Sequence, residues 1–381
     1  MKDLSSVGDN PLSAAACCYP LKVEPSFRER IWGRKDLSFL YPGRAADPAP
    51  VGEVWLTADD NRIANGAWAG KTVGELCHAS ARELVGSAAQ SNEPPRGAVF
   101  PLLVKFIFTS DKLSVQVHPS DVYAWEKEKS AGKTEMWHVL KAQPYARLAI
   151  GFREDLVRGG NLDRETLRKA VEDGMIEGML NWIDVHDGDT FFVPSGAVHA
   201  IGAELVLCEI QQNSDITYRF FDYNRLGSDG RPRPLHLEKA LDVTEPNVDG
   251  GRTEPLPYGG EQNERICLAA CPYFATEKIG LTNTARFATR GRFEIWTGLE
   301  GEAEFEASGK RTTCRRGELV ILPAQAQTFS VCPISPFTCL RIYEPELEKD
   351  VLGPLRALGY SERQLSRVCF PSLPIPSSNA V

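Results

Sequence analysis

Short runs rich in β-branched, aromatic and aliphatic residues alternate with Gly and Pro turns along most of this chain. "VGEVWLTA", "AVFPLLVKFIF", "KLSVQVH", "EMWHVL" and "ARLAIGF" read as successive strands. One segment breaks that rhythm. In "LDRETLRKAVEDGM", Leu167, Ala170 and Val171 recur at helical spacing, with Asp163 as N-cap and Gly174 as stop. "DTFFVP", "LVLCEIQ" and "TYRFFDY" return to strand, and "HLEKALDV" predicts a short helix. The Pro-, Gly- and charge-rich "TEPNVDGGRTEPLPYGGEQNE" reads as a linker or long surface connection. Strand patterns resume with "YFATEKIGL", "RFEIWTGL", "EAEFEA", "LVILPA" and "FTCLRIY". The closing "FPSLPIPSSNAV" is expected to be poorly ordered.

Two segments repeat each other. Gly188 is followed after five residues by Pro194, then Gly196 and His199; Gly317 is followed after five by Pro323, then Gln325 and Thr328. An internal repeat in an all-β setting points to two related barrels in tandem. The first copy resembles the second cupin motif, an element of a jelly-roll barrel. The expected fold is therefore mainly β, with tandem cupin (jelly-roll) barrels and a small helical insertion at about 160–182. We divide the chain into an N-terminal catalytic cupin domain (1–250), a C-terminal cupin domain (251–346) and an extension (347–381). Because Thr328 stands where the first copy has its histidine, the second barrel is expected to hold no metal.

"LSVQVHPSD" places Gln116 and His118 two residues apart, hence on one face of a strand. Glu135 in "GKTEMWHVL" and His199 after the Pro194 turn add a carboxylate and a second imidazole. Such a set suits one divalent metal per chain, zinc first, with manganese, iron or cobalt compatible. Each residue alone reads more simply as a hydrogen-bonded core or surface polar group, and only their coincidence on barrel strands argues for a site. His138 points away from Glu135 by strand parity, and His78, His186 and His236 carry no assigned role. Lys105 inside "PLLVKFIF" is an odd place for a solvated charge and suggests a buried anionic partner.

From about "LKVEPSFRERIWG" to "LRIYEP" the chain resembles the type I mannose-6-phosphate isomerases of the shorter bacterial form, members of the cupin superfamily. "LSVQVHPSD", "GKTEMWHVL", "VPSGAVHAIG" and "EIQQNSDITYRFFDYNR" carry the resemblance. It implies a metal-dependent aldose–ketose isomerase acting on mannose 6-phosphate and fructose 6-phosphate, with Gln116, His118, Glu135 and His199 as ligands. It further implies catalytic roles for Arg219, Lys133 and Glu209, the last as candidate proton carrier beside Lys133 or a metal-bound water. Ser114, Lys105 and Arg225 align with positions that hold the phosphate, where the family often has Lys in place of Arg225. The residues after Leu347 fall outside the resemblance. Weighed against this are another cupin isomerase, an iron oxygenase, and a catalytically silent sugar-phosphate binder that keeps its metal. A fourth ligand, Gln116, counts against the oxygenase, and the set Lys133, Glu209 and Arg219 counts against the silent binder.

Composition narrows the partners. Over 381 residues the net charge is −8 and the isoelectric point about 5.5. That argues against a general nucleic-acid or anionic-membrane surface and leaves room for a small local basic pocket for a phosphorylated metabolite; a small-molecule sugar phosphate is the partner the resemblance implies. The charge says nothing of oligomeric state. Ten scattered cysteines without a CxxC pair are expected to be free thiols in a reducing cytosol. The start "MKDLSSVGDNPLSAAACCYP" lacks an apolar signal core, and a cytoplasmic location is expected.

Overall fold

The computed structural model describes residues 17–86, 99–227, 230–248, 250–259 and 263–372. Most of the expected signal-less start and the end of the Pro/Ser-rich tail lie outside the described residues. Two sandwiches of antiparallel strands make up the fold. In the first, a seven-stranded sheet runs Gly251–Arg252, Thr190–Val193, Glu135–Ala142, Leu205–Gln212, Leu102–Phe108, Val51–Trp55 and Ser26–Arg34. It faces a five-stranded sheet of Tyr218–Phe221, Val115–Val117, His199–Ile201, Arg147–Phe152 and Leu180–Asp184. The second sandwich pairs another seven-stranded sheet, centred on Glu294–Glu300, Phe337–Tyr343 and Ala275–Leu281, with a four-stranded one.

Alternation along the strands explains the layering. In Leu102–Phe108 the even positions Leu102, Val104, Phe106 and Phe108 enter a cluster that also takes Leu268, Ile295 and Leu340 from the second sandwich. The two large sheets thus share one core, which is why their strands are apolar on both faces. The odd positions face the first barrel's interior, where Ile107, Val139, Leu207, Leu148 and Ile201 form an apolar floor. Lys105 lies on this same face, one step above the floor.

The helical segments sit where the pattern put them. Arg164–Glu172 is capped by the Asp163 side chain, which accepts from the Thr166 amide, and Gly174 has the positive φ of 70° that a helix stop favours. With Leu237–Val243 this helix covers the outer face of the five-stranded sheet, burying Leu167, Ala170, Val171 and Ala240 against Val115, Val117 and Ala200.

Two strand pairings cross the expected boundary at residue 250. Leu21–Val23 pairs with Leu319–Leu322 of the second sandwich, and Gly251–Arg252 pairs with Thr190–Val193 of the first. The sheets are therefore interleaved at both ends of the division drawn from sequence, because edge strands go where unpaired backbone awaits them rather than where the chain order suggests. The segment after Leu347 is helical up to residue 365 and packs Val351, Leu355, Leu365 and Val368 onto Leu256, Ala270 and Tyr343. Phe370 then stacks on Phe192 of the first sandwich, with ring centroids 4.1 Å apart.

Candidate active site

Register brings the polar residues of the first barrel into rows. Across the five-stranded sheet, Arg219 pairs with Gln116 and Gln116 with His199. On the opposite sheet Lys105 pairs with Glu209 and Glu209 with Trp137, while Glu135 lies one step further toward the mouth, opposite Gln211 and Val193. The turn at Pro194 ends its strand and returns the chain as His199–Ile201, so that His199 faces Glu135.

His118, Glu135 and His199 are fully buried, and their donor atoms lie within 4.8 Å of one another. Glu135 Oε2 is 3.6 Å from His118 Nε2, and Oε1 is 3.5 Å from His199 Nε2. Each imidazole is oriented through its other nitrogen. His118 Nδ1 donates to the Ile216 carbonyl and His199 Nδ1 to the Ala197 carbonyl, both at 2.8 Å. That leaves both Nε2 lone pairs aimed at the carboxylate, the arrangement in which histidines bind metal. Neither Glu135 oxygen has a hydrogen-bond partner among the described residues, although the Lys133 ammonium stands 3.0 Å from Oε2. Burial, and next the Glu209 charge, push the Glu135 carboxyl up to about 7. Burial also holds His199 down at about 4 and His118 well below its ordinary value. Two neutral imidazoles and an unsaturated carboxylate, all dry, fit a divalent metal ion.

Gln116 flanks this set. Its amide nitrogen donates to His199 Nε2 at 3.2 Å and its oxygen accepts from the Ser114 hydroxyl at 3.2 Å. A half-turn of the amide exchanges these roles and presents the oxygen to the site, which ligation would require.

Lys133 Nζ also donates to His118 Nε2, at 3.1 Å. Glu209 Oε1 forms an ion pair with Lys105 Nζ at 2.7 Å, and its Oε2 accepts from Trp137 Nε1 at 3.0 Å. Burial alone would raise the Glu209 carboxyl, but the Lys105 and Lys133 charges outweigh it and bring it down to about 2. Arg219 is partly buried, and its Nε has no acceptor among the described residues.

Each of the three residues expected to hold a phosphate has a partner within the protein. Lys105 turns into the barrel toward Glu209 because strand parity leaves it no other face. Arg225 lies on the turn after the Tyr218–Phe221 strand and pairs with Asp222 at 2.8 Å and Asp111 at 3.0 Å. Ser114 is bound to Gln116. Asp215, which the strand pattern did not single out, has a charge that reaches both Lys105 and Arg219. Its signal in the sequence was its place four residues before Arg219. His138 is buried against the Thr190 hydroxyl at 2.9 Å, away from Glu135.

Residues 21–138 match the model of the phosphomannose isomerase type I catalytic domain, and residues 264–332 match that of the mannose-6-phosphate isomerase cupin domain. The mannose-6-phosphate isomerase ManA of Bacillus subtilis (strain 168) is 34% identical over 313 residues, 80% of this chain and 93% of that protein. This chain belongs to the type I phosphomannose isomerase family. A mannose-6-phosphate isomerase of Streptococcus mutans is 32% identical over 312 residues, 80% of this chain and 92% of its own length. The crystal structure of a Bacillus subtilis mannose 6-phosphate isomerase superposes with a TM-score of 0.74 at 30% identity, covering 86% of this chain and 99% of that one. Family membership bears out both the resemblance read from the motifs and the mainly β cupin architecture. These relatives align over nearly their whole length, whereas about a fifth of this chain has no counterpart in the two aligned sequences.

Proposed function

We propose that this chain interconverts mannose 6-phosphate and fructose 6-phosphate, moving one proton between C1 and C2 of the open-chain sugar through an enediol(ate). The observation that carries this reading is the buried His118–Glu135–His199 donor set with Lys133 at its edge and Arg219 in the same strand row as Gln116. Family membership supplies the substrate; the geometry supplies the chemistry.

We read Gln116, His118, Glu135 and His199 as the ligands. Two imidazole nitrogens and a carboxylate favour zinc, and the added amide oxygen keeps manganese, iron and cobalt compatible. When bound, a divalent ion supplies Lewis-acid polarisation of the sugar oxygens. Arg219 is the group that stabilises negative charge developing on those oxygens, since its Nε has no acceptor among the described residues. Lys133 Nζ is our candidate for carrying the proton. Glu209 suits that task poorly, because a carboxyl held near about 2 is a weak base at neutral pH. Its role is electrostatic instead: it holds Lys105 charged and receives the Trp137 indole.

The ten cysteines are free thiols, eight of them buried, which suits a reducing compartment such as the cytoplasm. No helix among the described residues is long and apolar enough to cross a membrane. A coupled assay with mannose 6-phosphate, run before and after chelation and again with zinc, manganese, iron or cobalt restored, tests the whole reading. Turnover that is lost on chelation and recovered with a metal is the expected result. Undiminished turnover in a protein stripped of metal would remove the metal from the mechanism, and no turnover in the loaded protein would remove the isomerase.

A further inference from the structure

Lys133 reaches the site from backbone that lies just ahead of the Glu135–Ala142 strand, outside its ladder. Three consecutive amides of that segment nevertheless have fixed acceptors. The Gly132 amide donates to Asp121 Oδ1 at 2.8 Å, that of Lys133 to the Pro119 carbonyl at 3.0 Å, and that of Thr134 to Gln212 Oε1 at 2.9 Å. Gln212 is itself held by Asp121, since its Nε2 donates to the same Oδ1 at 2.9 Å. The two segments touch backbone to backbone: a Cβ on Gly132 would come within 2.5 Å of the Asp121 amide nitrogen.

The other oxygen of Asp121 leads out of the first barrel. Oδ2 accepts the Tyr273 hydroxyl at 2.5 Å, and Tyr273 lies on the turn between Glu264–Ala270 and Ala275–Leu281 of the second sandwich. One side chain thus takes three donors from three separate parts of the chain, which an acceptor-only carboxylate can do and an apolar residue cannot. The imidazoles are oriented independently of it, His118 by the Ile216 carbonyl and His199 by the Ala197 carbonyl.

The ammonium at the end of this braced segment stands 3.0 Å from Glu135 Oε2 and 3.1 Å from His118 Nε2. A group that carries a proton must be held that closely, because a misplacement of about 1 Å can cost on the order of a hundredfold in rate. We propose that Asp121 is a positioning residue for the isomerisation. With Gln212 it fixes the Gly132–Thr134 backbone, and so the reach of Lys133 Nζ; through Tyr273 it anchors that backbone to the second sandwich. The inference rests on the reading of Lys133 as proton carrier, and it gives the second barrel a part in turnover.

The test uses the metal-loaded full chain. Asp121→Ala should lower kcat about tenfold to a hundredfold, with KM for mannose 6-phosphate within about twofold of the parent and metal content unchanged. Asp121→Asn should recover most of that loss, because an amide oxygen still accepts from Gly132 and Gln212 and the Tyr273 hydroxyl can turn to accept from the amide nitrogen. Tyr273→Phe should lower kcat about threefold to tenfold, and joining it to Asp121→Ala should slow the enzyme no further, since both changes act through one carboxylate. Loosening of the fold would produce neither the rescue nor that non-additivity. Unchanged kcat in a folded Asp121→Ala, an Asp121→Asn as slow as Asp121→Ala, losses that multiply in the double variant, or a loss that follows metal content would each overturn the proposal. If Asp121→Ala does not fold, Tyr273→Phe decides: a lower kcat at unchanged KM and metal content supports the proposal, and an unchanged kcat overturns it. A parent without turnover on mannose 6-phosphate would sink the isomerase reading, and an unimpaired Lys133→Met would sink the proton-carrier reading; either takes this inference with it.

Discussion

Lys105 offers the sharpest test of how the barrel is held together. Its ammonium and the Glu209 carboxylate are both buried and 2.7 Å apart. Glu209 falls from an ordinary 4.5 to about 2. A carboxyl depressed in the folded state stabilises the fold above its unfolded pKa, and that contribution is lost as pH falls from about 4.5 toward 2. At about 1.4 kcal/mol per unit the shift is worth about 3 kcal/mol at neutral pH. Lys105 is raised above its ordinary value by Glu209 and Glu53 against the effect of burial, so its share is complete below about 10.5 and lost only at higher pH. Lys105→Met should therefore cost about 3–5 kcal/mol at pH 7, the range for a buried charge left without its partner. Replacing both, as Lys105→Met with Glu209→Leu, should recover most of that loss, because no unpaired charge then remains. In the single variant burial raises Glu209 with less opposition, and the variant should gain on the parent as pH is lowered from 7 to 5. Urea unfolding of the metal-loaded proteins at several pH values measures all three. A single variant within about 1 kcal/mol of the parent, or a double variant no more stable than the single, would refute the pairing argument.

Removing an imidazole, by His118→Ala or His199→Ala, should abolish stoichiometric metal by elemental analysis and most turnover; full occupancy in both would mean other ligands. Arg219→Lys should keep the fold, checked by circular dichroism, and lower kcat on the order of a hundredfold, because an ammonium cannot reproduce the fork; an unchanged kcat would leave the charge to other groups. Metal analysis of the parent should give one equivalent per chain, and a reproducible second equivalent would place a site in the second barrel. Deleting residues 347–381 uncovers the apolar surface under Val351, Leu355, Leu365 and Val368, each worth about 1.5–3 kcal/mol when buried. Calorimetry should then show melting lowered by roughly 10 °C or more, and an unchanged melting temperature would mean the tail is not part of the core.

Much of the fold was legible because the signals are local. The Asp163 cap, the apolar spacing of Leu167, Ala170 and Val171, and the Gly174 stop fix the helix Arg164–Glu172 from signals within its own short stretch of chain. Gln116 and His118 were legible through alternation, and His199 through the repeat. What stayed hidden depends on partners distant in sequence. Nothing around Lys105 announces that Glu209 is its counter-ion, 104 residues on in the register of two central strands. Nothing near Arg225 reveals that Asp111 takes its guanidinium. The helix Val73–Val85 was missed because it is kinked at Ser80 and its apolar stripe is broken there. The pairing of Leu21–Val23 with the second sandwich is likewise a long-range choice that no local pattern records.

A second repeat emerges only when the two barrels are laid beside each other. Gly132-Lys-Thr-Glu135-Met-Trp137 of the first matches Gly291-Arg-Phe-Glu294-Ile-Trp296 of the second. Glu135 lies opposite Val193, just before Pro194; Glu294 lies opposite Leu322, just before Pro323. The row behind is also preserved, but with its charges exchanged. Lys105 faces Glu209 and Glu209 faces Trp137 in one barrel, while Glu277 faces Arg341 and Arg341 faces Trp296 in the other. The consequence for the leading carboxylate is decisive. Glu135 has no hydrogen-bond partner among the described residues and lies beside two imidazoles, with the Lys133 ammonium 3.0 Å from Oε2. Glu294 receives Arg341 through two nitrogens, Nε at 2.9 Å, and the Trp296 indole at 3.0 Å. Arg341 in turn meets Glu277 at 3.3 Å, and Tyr343 and Arg265 complete that carboxylate's shell. A buried carboxylate must have a cation or donors. In the second barrel the chain supplies that cation, Arg341, from a neighbouring strand, and Thr328 stands where the first copy has its histidine. In the first barrel the central residue of the row is an acid, Glu135 meets the Lys133 ammonium at 3.0 Å, and two imidazoles stand beside it, the arrangement that leaves room for a metal ion.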